Sequence, residues 1–350
     1  MNFASDNTAG VAPQVLEALV AANAGHAPSY GADPLTLAVR DRIREIFEAP
    51  SAAVYLVGTG TAANALACGL LTEPWGTVFC HRNAHIEEDE CGAPEFYTGG
   101  AKLTLVEGDH GRIDPAALER AILHTGRGGV HNVQRGMVSL TNVTEAGTVY
   151  TPEALRELSG IAHSWGLPVH LDGARFANAL ATLGCTPAEA SWKAGADVLC
   201  LGGTKNGCMG VEAVVIFDPD RGWEFELMRK RGGHLFSKHR FLAAQMLVWL
   251  AGDLWLDLAR HANAMAARLS AGIAAVPGAS LVHPTEANAV FAALPRAAHQ
   301  RLQDAGAQYH LWPGDQSMKG PAEEPLAARL VCSWATTEAE IDTFLGHLQG

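Results

Sequence analysis

Short apolar runs alternate with longer stretches of helical character between residues 54 and 217. The short runs are rich in Val, Leu and Ile, which is typical of buried strands. Two of the longer stretches, 114–123 and 151–165, begin with Asp-Pro and Thr-Pro, a capping side chain followed by the residue favoured at the first helical position. This alternation predicts a mostly parallel sheet covered by helices. The predicted strands are 54–57, 77–80, 102–106, 137–141, 168–172, 197–201 and 213–217.

The connection between the last two predicted strands differs from the others. Residues 202–210 read Gly-Gly-Thr-Lys-Asn-Gly-Cys-Met-Gly, which is too short for a crossover helix. Parallel neighbours need a crossover of about a dozen residues or more, whereas antiparallel neighbours can be joined by a short loop. We therefore predict two antiparallel neighbours joined by a glycine-rich loop that carries Lys205.

The pattern changes after residue 229. Residues 241–276 can form one long helix or a broken pair interrupted at Gly252-Asp253, and shorter elements follow. The later strand-like runs are 289–294, 308–312 and 329–334, and the later helices lie near 296–305 and 337–348. We predict an α/β protein with a large domain at 1–240, including an N-terminal segment at 1–14, and a small C-terminal α/β domain at 241–350.

Composition narrows the class of protein. The chain has 350 residues, a formal net charge of -12 and 48% hydrophobic residues, enough for a sizeable core. The acidic balance argues against a nucleic-acid or anionic-membrane surface, because either partner would be repelled. The most apolar stretch, 241–250, contains Gln245 and is followed by Asp253, so we expect a core helix there. Without a signal-like N-terminus or a CxxC pair among its seven cysteines, the chain is expected to be cytoplasmic.

Two polar residues follow buried strands. Lys205 is one of only six lysines and lies among glycines and a threonine. A desolvated amine has a lowered pKa and can form an imine, although a solvated loop lysine is the simpler interpretation of this segment alone. Asp172 ends a predicted strand, where open α/β sheets bind ligands. It could stand beside the ring nitrogen of a pyridine cofactor or cap the next helix.

A glycine-threonine turn and a histidine add to this chemistry. Residues 58–64 read Gly-Thr-Gly-Thr-Ala-Ala-Asn, and amides at such a helix start, with the Thr61 hydroxyl, could hold a small phosphate or form a structural turn. His85 could stack on a cofactor ring and move protons. His81 and His85 could instead bind a metal. We expect no metal, because the rest of the chain offers a different electron sink.

Together and in this order, the motifs resemble the L-threonine aldolase family, within the aspartate-aminotransferase-like group (fold type I) of pyridoxal-phosphate enzymes. The stretch 89–96, Asp-Glu-Cys-Gly-Ala-Pro-Glu-Phe, is most similar to a branch that includes phenylserine aldolases. The segments that carry the resemblance are Ser5-Asp6-Asn7, Tyr30-Gly31-Ala32-Asp33-Pro34, 58–64, His85, 170–175, the lysine loop and Arg329-Leu330-Val331.

The resemblance implies a pyridoxal 5'-phosphate cofactor and a role for each of these residues. Lys205 would form the imine, Asp172 would pair with the ring nitrogen, and His85 would stack over the ring. The catalytic residues would thus be Lys205, His85 and Asp172. The other implied contacts are Gly60, Thr61 and Thr204 with the cofactor, Arg175 with the cofactor or substrate, and Ser5, Arg329 and Tyr30 with the substrate.

The implied reaction is cleavage of a 3-hydroxy-L-amino acid, such as L-threonine, L-allo-threonine or L-phenylserine, to glycine and an aldehyde. A β-eliminating lyase or an aminotransferase with the same cofactor is the alternative. The resemblance also implies a homo-oligomer, tetramer or dimer, in which Tyr30 and Lys230 could complete a neighbour's site. Many family members carry a second histidine after the strand at 137–141, where this chain has Thr144 and Glu145. His85, directly or through water, is the candidate base for the 3-hydroxyl proton.

Overall fold

One large sheet occupies the middle of the computed structural model, which describes all 350 residues. Its strands are β1 (Ala53–Val57), β2 (Gly76–His81), β3 (Lys102–Val106), β4 (Gln134–Thr141), β5 (Val169–Gly173), β6 (Val198–Gly202) and β7 (Glu212–Ile216). They lie in the order β1-β7-β6-β5-β4-β2-β3. β7 is antiparallel to both neighbours, and the other pairs are parallel. The mostly parallel seven-stranded sheet and the antiparallel pair around the lysine loop are confirmed.

Helices bury both faces of this sheet. Along β6, Leu199 and Leu201 pack into one hydrophobic core, whereas Val198 and Cys200 pack into another. Alternate side chains of a strand point to opposite faces, so both faces are covered, as a parallel sheet requires. The helices up to residue 231 are α1 (Pro13–Ala22), α2 (Pro34–Ile46), α3 (Gly60–Leu71), α4 (His85–Glu88), α5 (Ala93–Tyr97), α6 (Pro115–His124), α7 (Pro152–Ser164), α8 (Phe176–Leu183) and α9 (Gly222–Arg231).

The predicted helix starts at Asp-Pro and Thr-Pro are present. The Asp114 side chain accepts a hydrogen bond from the amide of Ala117 at 2.7 Å, and α6 begins at the next residue, Pro115. Thr151 caps α7 in the same way, with the amide of Ala154 as donor at 3.2 Å. Each side chain satisfies an amide that the first helical turn leaves without a partner.

A bent helix pair connects the large sheet to the rest of the chain. It consists of α10 (Arg240–Trp249) and α11 (Leu254–Ala274), whose axes are bent by 66°. The predicted interruption at Gly252-Asp253 is therefore confirmed. Trp255 and Ala259 of α11 lie in the core of the large sheet, whereas its later residues pack into a second core. No single helix is long and apolar enough to cross a membrane, and α10 and α11 meet those requirements only when taken together.

The second core is formed by a small antiparallel sheet and two helices. Its strands are β8 (Ser280–Leu281), β9 (Ala289–Pro295), β10 (His310–Leu311) and β11 (Pro325–Val331), in the order β10-β11-β9-β8, with α12 (Arg296–Asp304) and α13 (Glu338–Gln349) packed against them. The last strand differs from the prediction of 329–334. It pairs with β9 from Pro325 to Val331, after which the Ser333 amide turns to the Thr336 hydroxyl at 2.8 Å.

The N-terminus belongs to this second core as well. Phe3 is fully buried there, and its amide donates to the Gln308 carbonyl at 2.7 Å while its carbonyl accepts from the Val331 amide at 2.8 Å. The chain thus places its first residues beside β11 before α1 begins. The division between domains at residue 240 stays a prediction.

Candidate active site

A cavity of about 690 Å³ opens at the carboxyl ends of the central strands. This is where open α/β sheets place their ligands, because helix N-termini and loops meet there. Its far side is formed by residues of the small sheet and the loops around it, which we call the small-sheet side. Five of the predicted site residues line the cavity: Ser5, His85, Arg175, Lys205 and Arg329.

Lys205 lies in a single helical turn, Thr204–Asn206, between β6 and β7. The loop is held from within, because the Glu212 carboxylate accepts from the Gly203 amide at 2.9 Å and the Thr204 hydroxyl accepts from the Val211 amide at 3.1 Å. Burial, and then the positive charge of Arg175, lower the pKa of the Lys205 amine. An amine with a lowered pKa is more often neutral and therefore nucleophilic.

Asp172 is buried at the end of β5 and does not line the cavity. Its Oδ1 accepts from the Ala174 amide at 2.9 Å, and its Oδ2 accepts from Asn64 Nδ2 at 2.9 Å. It does not cap α8, which begins at Phe176. The carboxylate is thus fixed by two donors beneath the floor of the site.

His85 begins α4, directly after β2 and its turn. Its amide donates to Glu145 Oε1 at 2.8 Å, and its Nδ1 lies 2.8 Å from Glu90 Oε1. The hydrogen bond with Glu90 raises the pKa of His85, and burial opposes that effect. Burial, and then the charge of Asp172, raise the pKa of Glu145 to about 7. His81 makes structural contacts instead, since its ring bonds to the Gly108 carbonyl at 3.2 Å and the Asn83 amide at 3.1 Å.

The turn before α3 leaves two amides free. Thr59 caps the helix, with its side chain accepting from the Ala62 amide at 3.1 Å. The amides of Gly60 and Thr61 have no hydrogen-bond partner in the chain. Free amides at a helix N-terminus, together with the helix dipole, favour an anion. The space beside Gly58 is tight, since a Cβ there would lie 2.9 Å from the Phe236 ring.

Arg175 and Arg329 bring positive charge to the cavity in different ways. Arg175 is paired with the buried carboxylate of Asp6, at 2.6 Å from Nε and 2.9 Å from its terminal nitrogen. Arg329 has no acidic partner: it donates to the Ala4 carbonyl at 3.3 Å, its guanidinium lies 5.2 Å from the Trp312 ring centre, and its Nε is buried without a partner. Burial, and then the charge of Arg175, lower the pKa of Arg329. An unpaired arginine in a cavity wall is suited to bind a carboxylate.

The sequence relationships agree with this geometry. Residues 2–296 match the family model described as beta-eliminating lyase. The low specificity L-threonine aldolase of Pseudomonas aeruginosa is 43% identical over 334 residues, which cover 95% of this chain and 93% of that protein. This chain belongs to the β-eliminating lyase family, among its threonine aldolases.

Solved structures support the same assignment of fold. The Leishmania major threonine aldolase superposes with a TM-score of 0.91 at 30% identity, covering 99% of this chain and 98% of that one. A structure described as SPT with PLP internal aldimine matches at a TM-score of 0.70 and 16% identity, covering 100% and 86%, and so shows the fold alone. The chain therefore has the fold type I architecture predicted from its sequence and is a lyase of a pyridoxal-phosphate-dependent family.

Of the predicted site residues that do not line the cavity (Asp172, Gly60, Thr61, Thr204 and Tyr30), only Tyr30 is exposed on the surface. It is 49% exposed, has φ +58°, and its ring centre lies 4.6 Å from Lys230 Nζ. Conversely, Asn64, Glu90 and Asp6 contact predicted site residues and were not singled out from the sequence. A polar asparagine inside the apolar helix α3 was the one local signal for Asn64.

Proposed function

We propose that this chain is a pyridoxal-phosphate-dependent aldolase that cleaves 3-hydroxy-L-amino acids of the threonine and phenylserine type to glycine and an aldehyde. The observation that carries the proposal is one cavity lined both by Lys205, with its lowered pKa, and by Arg329, which has no acidic partner. The names of the relatives point to the same reaction. An amine that can form an imine and an arginine that can hold a carboxylate are what an α-amino acid substrate requires.

The residues on the large-sheet side fit pyridoxal phosphate. Lys205 would hold it covalently, Asp172 would stand at its ring nitrogen, and the free amides of Gly60 and Thr61 would take its phosphate. Thr204, next to the lysine, would contribute to the same contacts. When bound, the cofactor supplies an electron sink for the bond that breaks at the substrate's α-carbon.

The remaining residues would bind the substrate and move its proton. Arg329 would hold the carboxylate with two donors, with Ser5 as a further contact and Arg175 beside it, which fixes how the amino acid lies in the cavity. His85 would accept the proton of the 3-hydroxyl group as the bond between the α- and β-carbons breaks and the aldehyde leaves. His85 is suited to this step because it lines the cavity and an imidazole can accept and release a proton.

A second subunit would complete this arrangement. Tyr30 and Lys230 are both exposed on the surface and lie away from the cavity of their own chain. Exposed aromatic residues are enriched where subunits meet. We therefore propose a homo-oligomer, dimer or tetramer, in which these two residues approach a neighbouring site.

The test is replacement of the proposed imine lysine. Lys205→Ala should abolish both the visible absorption of the cofactor-bound protein and the release of aldehyde from L-threonine and L-phenylserine. Lys102→Ala is the matched control, because Lys102 is exposed on β3 and far from the cavity wall, and it should leave both unchanged. Substantial turnover by Lys205→Ala would contradict the proposal.

β-Elimination is the second candidate, because the family model that matches is described by that reaction. It would use the same cavity and release ammonia and a keto acid instead of glycine and an aldehyde. Product analysis with a 3-hydroxy amino acid separates the two, and amino-group exchange with an added keto acid would indicate an aminotransferase.

A further inference from the structure

A continuous chain of hydrogen bonds joins two of the proposed functional residues beneath the cavity. Asn64 Nδ2 lies 2.9 Å from Asp172 Oδ2 and 2.9 Å from Glu90 Oε1, and that same glutamate oxygen lies 2.8 Å from His85 Nδ1. The Glu90 side chain is fully buried, and Asn64 is 2% exposed. The chain therefore runs from Asp172 through Asn64 and Glu90 to His85 without a contribution from bulk solvent.

With Glu90 and Asp172 ionised, the donors and acceptors in this chain have one consistent assignment. Asn64 has two amide hydrogens, and the two carboxylates on either side of it accept one each. Turning the amide over would place its carbonyl oxygen against both carboxylates, and that oxygen has no partner in its present position. With Asn64 fixed as the donor, Glu90 Oε1 accepts from both sides, so the proton on the His85 ring lies on Nδ1. His85 Nε2 is left without a partner in the chain.

Opposing effects act on the two ionisable groups at the His85 end of this chain. Burial raises the pKa of Glu90, and the hydrogen bonds from His85 and Asn64 oppose that effect. Glu90 and then Asp172 favour the protonated form of His85, whereas burial and the Lys205 charge oppose it. Glu145 is the other acidic group that touches this residue, through the His85 amide. Asn64 separates two buried carboxylates that would otherwise repel each other.

We propose that Glu90 and Asn64 are positioning residues that hold His85 with its proton on Nδ1 and its Nε2 free for proton transfer, and that couple its charge to that of Asp172. The inference rests on the proposed function, because it names how the proposed base is kept in its working form. In the neutral ring a proton on Nδ1 makes Nε2 the acceptor, which is the form that a base requires.

The experiment is a pair of variants followed by two independent measurements on the cofactor-bound protein. Glu90→Gln keeps the size of the side chain and removes its charge. In ¹⁵N-histidine-labelled protein, with His85→Gln used to assign the signal, we expect wild-type His85 to show Nδ1–H. We expect Glu90→Gln to lower the pH at which that ring titrates and to give a mixture of tautomers. We also expect kcat for aldehyde release to fall roughly 10- to 100-fold, the loss that corresponds to one charged hydrogen bond.

Glu87→Gln is the matched control. Glu87 lies in the same short helix as His85 but is exposed and makes no hydrogen bond to it, so its replacement removes the same charge without touching the chain of hydrogen bonds. Its His85 signal and its kcat should equal those of wild type. Asn64→Ala is a second test if Glu90→Gln does not fold. Without the Asn64 amide, Glu90 takes up a proton beside Asp172, so the pH at which His85 titrates should again fall.

A His85 signal that is unchanged in both Glu90→Gln and Asn64→Ala would overturn the inference. A wild-type signal with the proton on Nε2 would overturn it as well. The proposed function fails separately, if no aldehyde is released from any 3-hydroxy amino acid. The tautomer is read without turnover, so in that case the positioning of His85 by Glu90 would still be tested.

Discussion

The two sides of the cavity differ in how their polar side chains are connected to one another. On the large-sheet side, Asp172, Glu90 and His85 are joined through Asn64, with every link at 2.8–2.9 Å. On the small-sheet side, Arg329 reaches only one carbonyl, at 3.3 Å, and keeps a buried nitrogen without a partner. The large-sheet side is held by hydrogen bonds before a ligand arrives. The small-sheet side has a donor that a ligand can pair with.

This difference teaches which part of the site prepares the chemistry and which part recognises the substrate. Proton transfer needs fixed tautomers and charges, which a connected set of buried hydrogen bonds provides. Substrate recognition uses donors that the protein leaves unpaired. A buried donor without a partner costs about 1–3 kcal/mol, and a ligand that pairs with it removes that cost. The Asp6–Arg175 pair connects the two sides. Arg175 follows β5 of the large sheet, and Asp6 also accepts a hydrogen bond at 3.1 Å from Nδ2 of Asn288, which directly precedes β9 of the small sheet.

The largest effect is expected when the Asp6–Arg175 pair is broken. Asp6→Asn keeps the shape of the side chain and removes the charge that pairs with Arg175, so we expect unfolding free energy to fall by about 2–3 kcal/mol. Breaking a fully buried pair costs about 3–5 kcal/mol, and Arg175 keeps 18% of its side chain exposed, which reduces the loss. Urea denaturation measures it, and Asp342→Asn, in the exposed pair with Arg268, should cost at most about 1 kcal/mol.

The same pair makes an acid-dependent contribution to stability. Burial alone would raise the pKa of Asp6, but the charge and hydrogen bonds of Arg175 outweigh it and hold that pKa below its usual range. A carboxylate with a lowered pKa stabilises the folded state above its unfolded pKa of about 3.9, and the effect is lost as pH falls through the folded pKa. The difference between wild type and Asp6→Asn should therefore shrink below about pH 4. An equal difference at pH 3 and pH 7 would rule out this electrostatic origin.

The sequence predicted the elements of the fold better than the contacts across the site. Buried parallel strands appear as continuous apolar runs, and a nine-residue loop cannot hold a crossover helix, so the sheet and the lysine loop could be read locally. Asp172 was found because it ends such a strand, and Lys205 because it lies in the short loop after one. The Asp6–Arg175 pair joins residues 169 positions apart, and no local pattern reports a contact over that distance. Glu90 was not predicted as a site residue, because its contact with Asn64 joins residues 26 positions apart.

Replacing Arg329 tests the small-sheet side directly. Arg329→Ala should raise KM for L-threonine roughly 30- to 150-fold, because a charged two-donor contact with the carboxylate is worth about 2–3 kcal/mol. Arg329→Lys keeps the charge without the planar pair of donors, so it should recover only part of the loss. Steady-state kinetics provide the measurement. Arg268→Ala, which removes the same charge from an exposed pair, should leave KM unchanged, and an Arg329→Ala value within twofold of wild type would remove this residue from the substrate site.

The smallest expected effect concerns the contact that joins the two sides at the edge of the cavity. His110 Nδ1 and His283 Nδ1 lie 3.0 Å apart, so one ring must be neutral for the other to donate to it. Burial, and then the charge of His110, lower the pKa of His283. A histidine with a lowered pKa stabilises the fold fully above its unfolded pKa of about 6.5, and its contribution is lost as pH falls through the lowered pKa of the folded state.

His283→Ala should therefore reduce the unfolding free energy by about 0.5–1 kcal/mol at pH 8, the usual worth of one partly exposed hydrogen bond, and by less at pH 5. Urea denaturation at the two pH values measures this difference, and His26→Ala, at an exposed histidine with no hydrogen bond, should give none at either. If His283→Ala were equally destabilising at pH 5 and pH 8, the two rings would matter only through their packing against Phe291, whose ring centre lies 5.2 Å from that of His283. The edge of the cavity would then be held by apolar contact alone. The contrast between a hydrogen-bonded side and an open side would rest on Arg329 and would not extend to this edge.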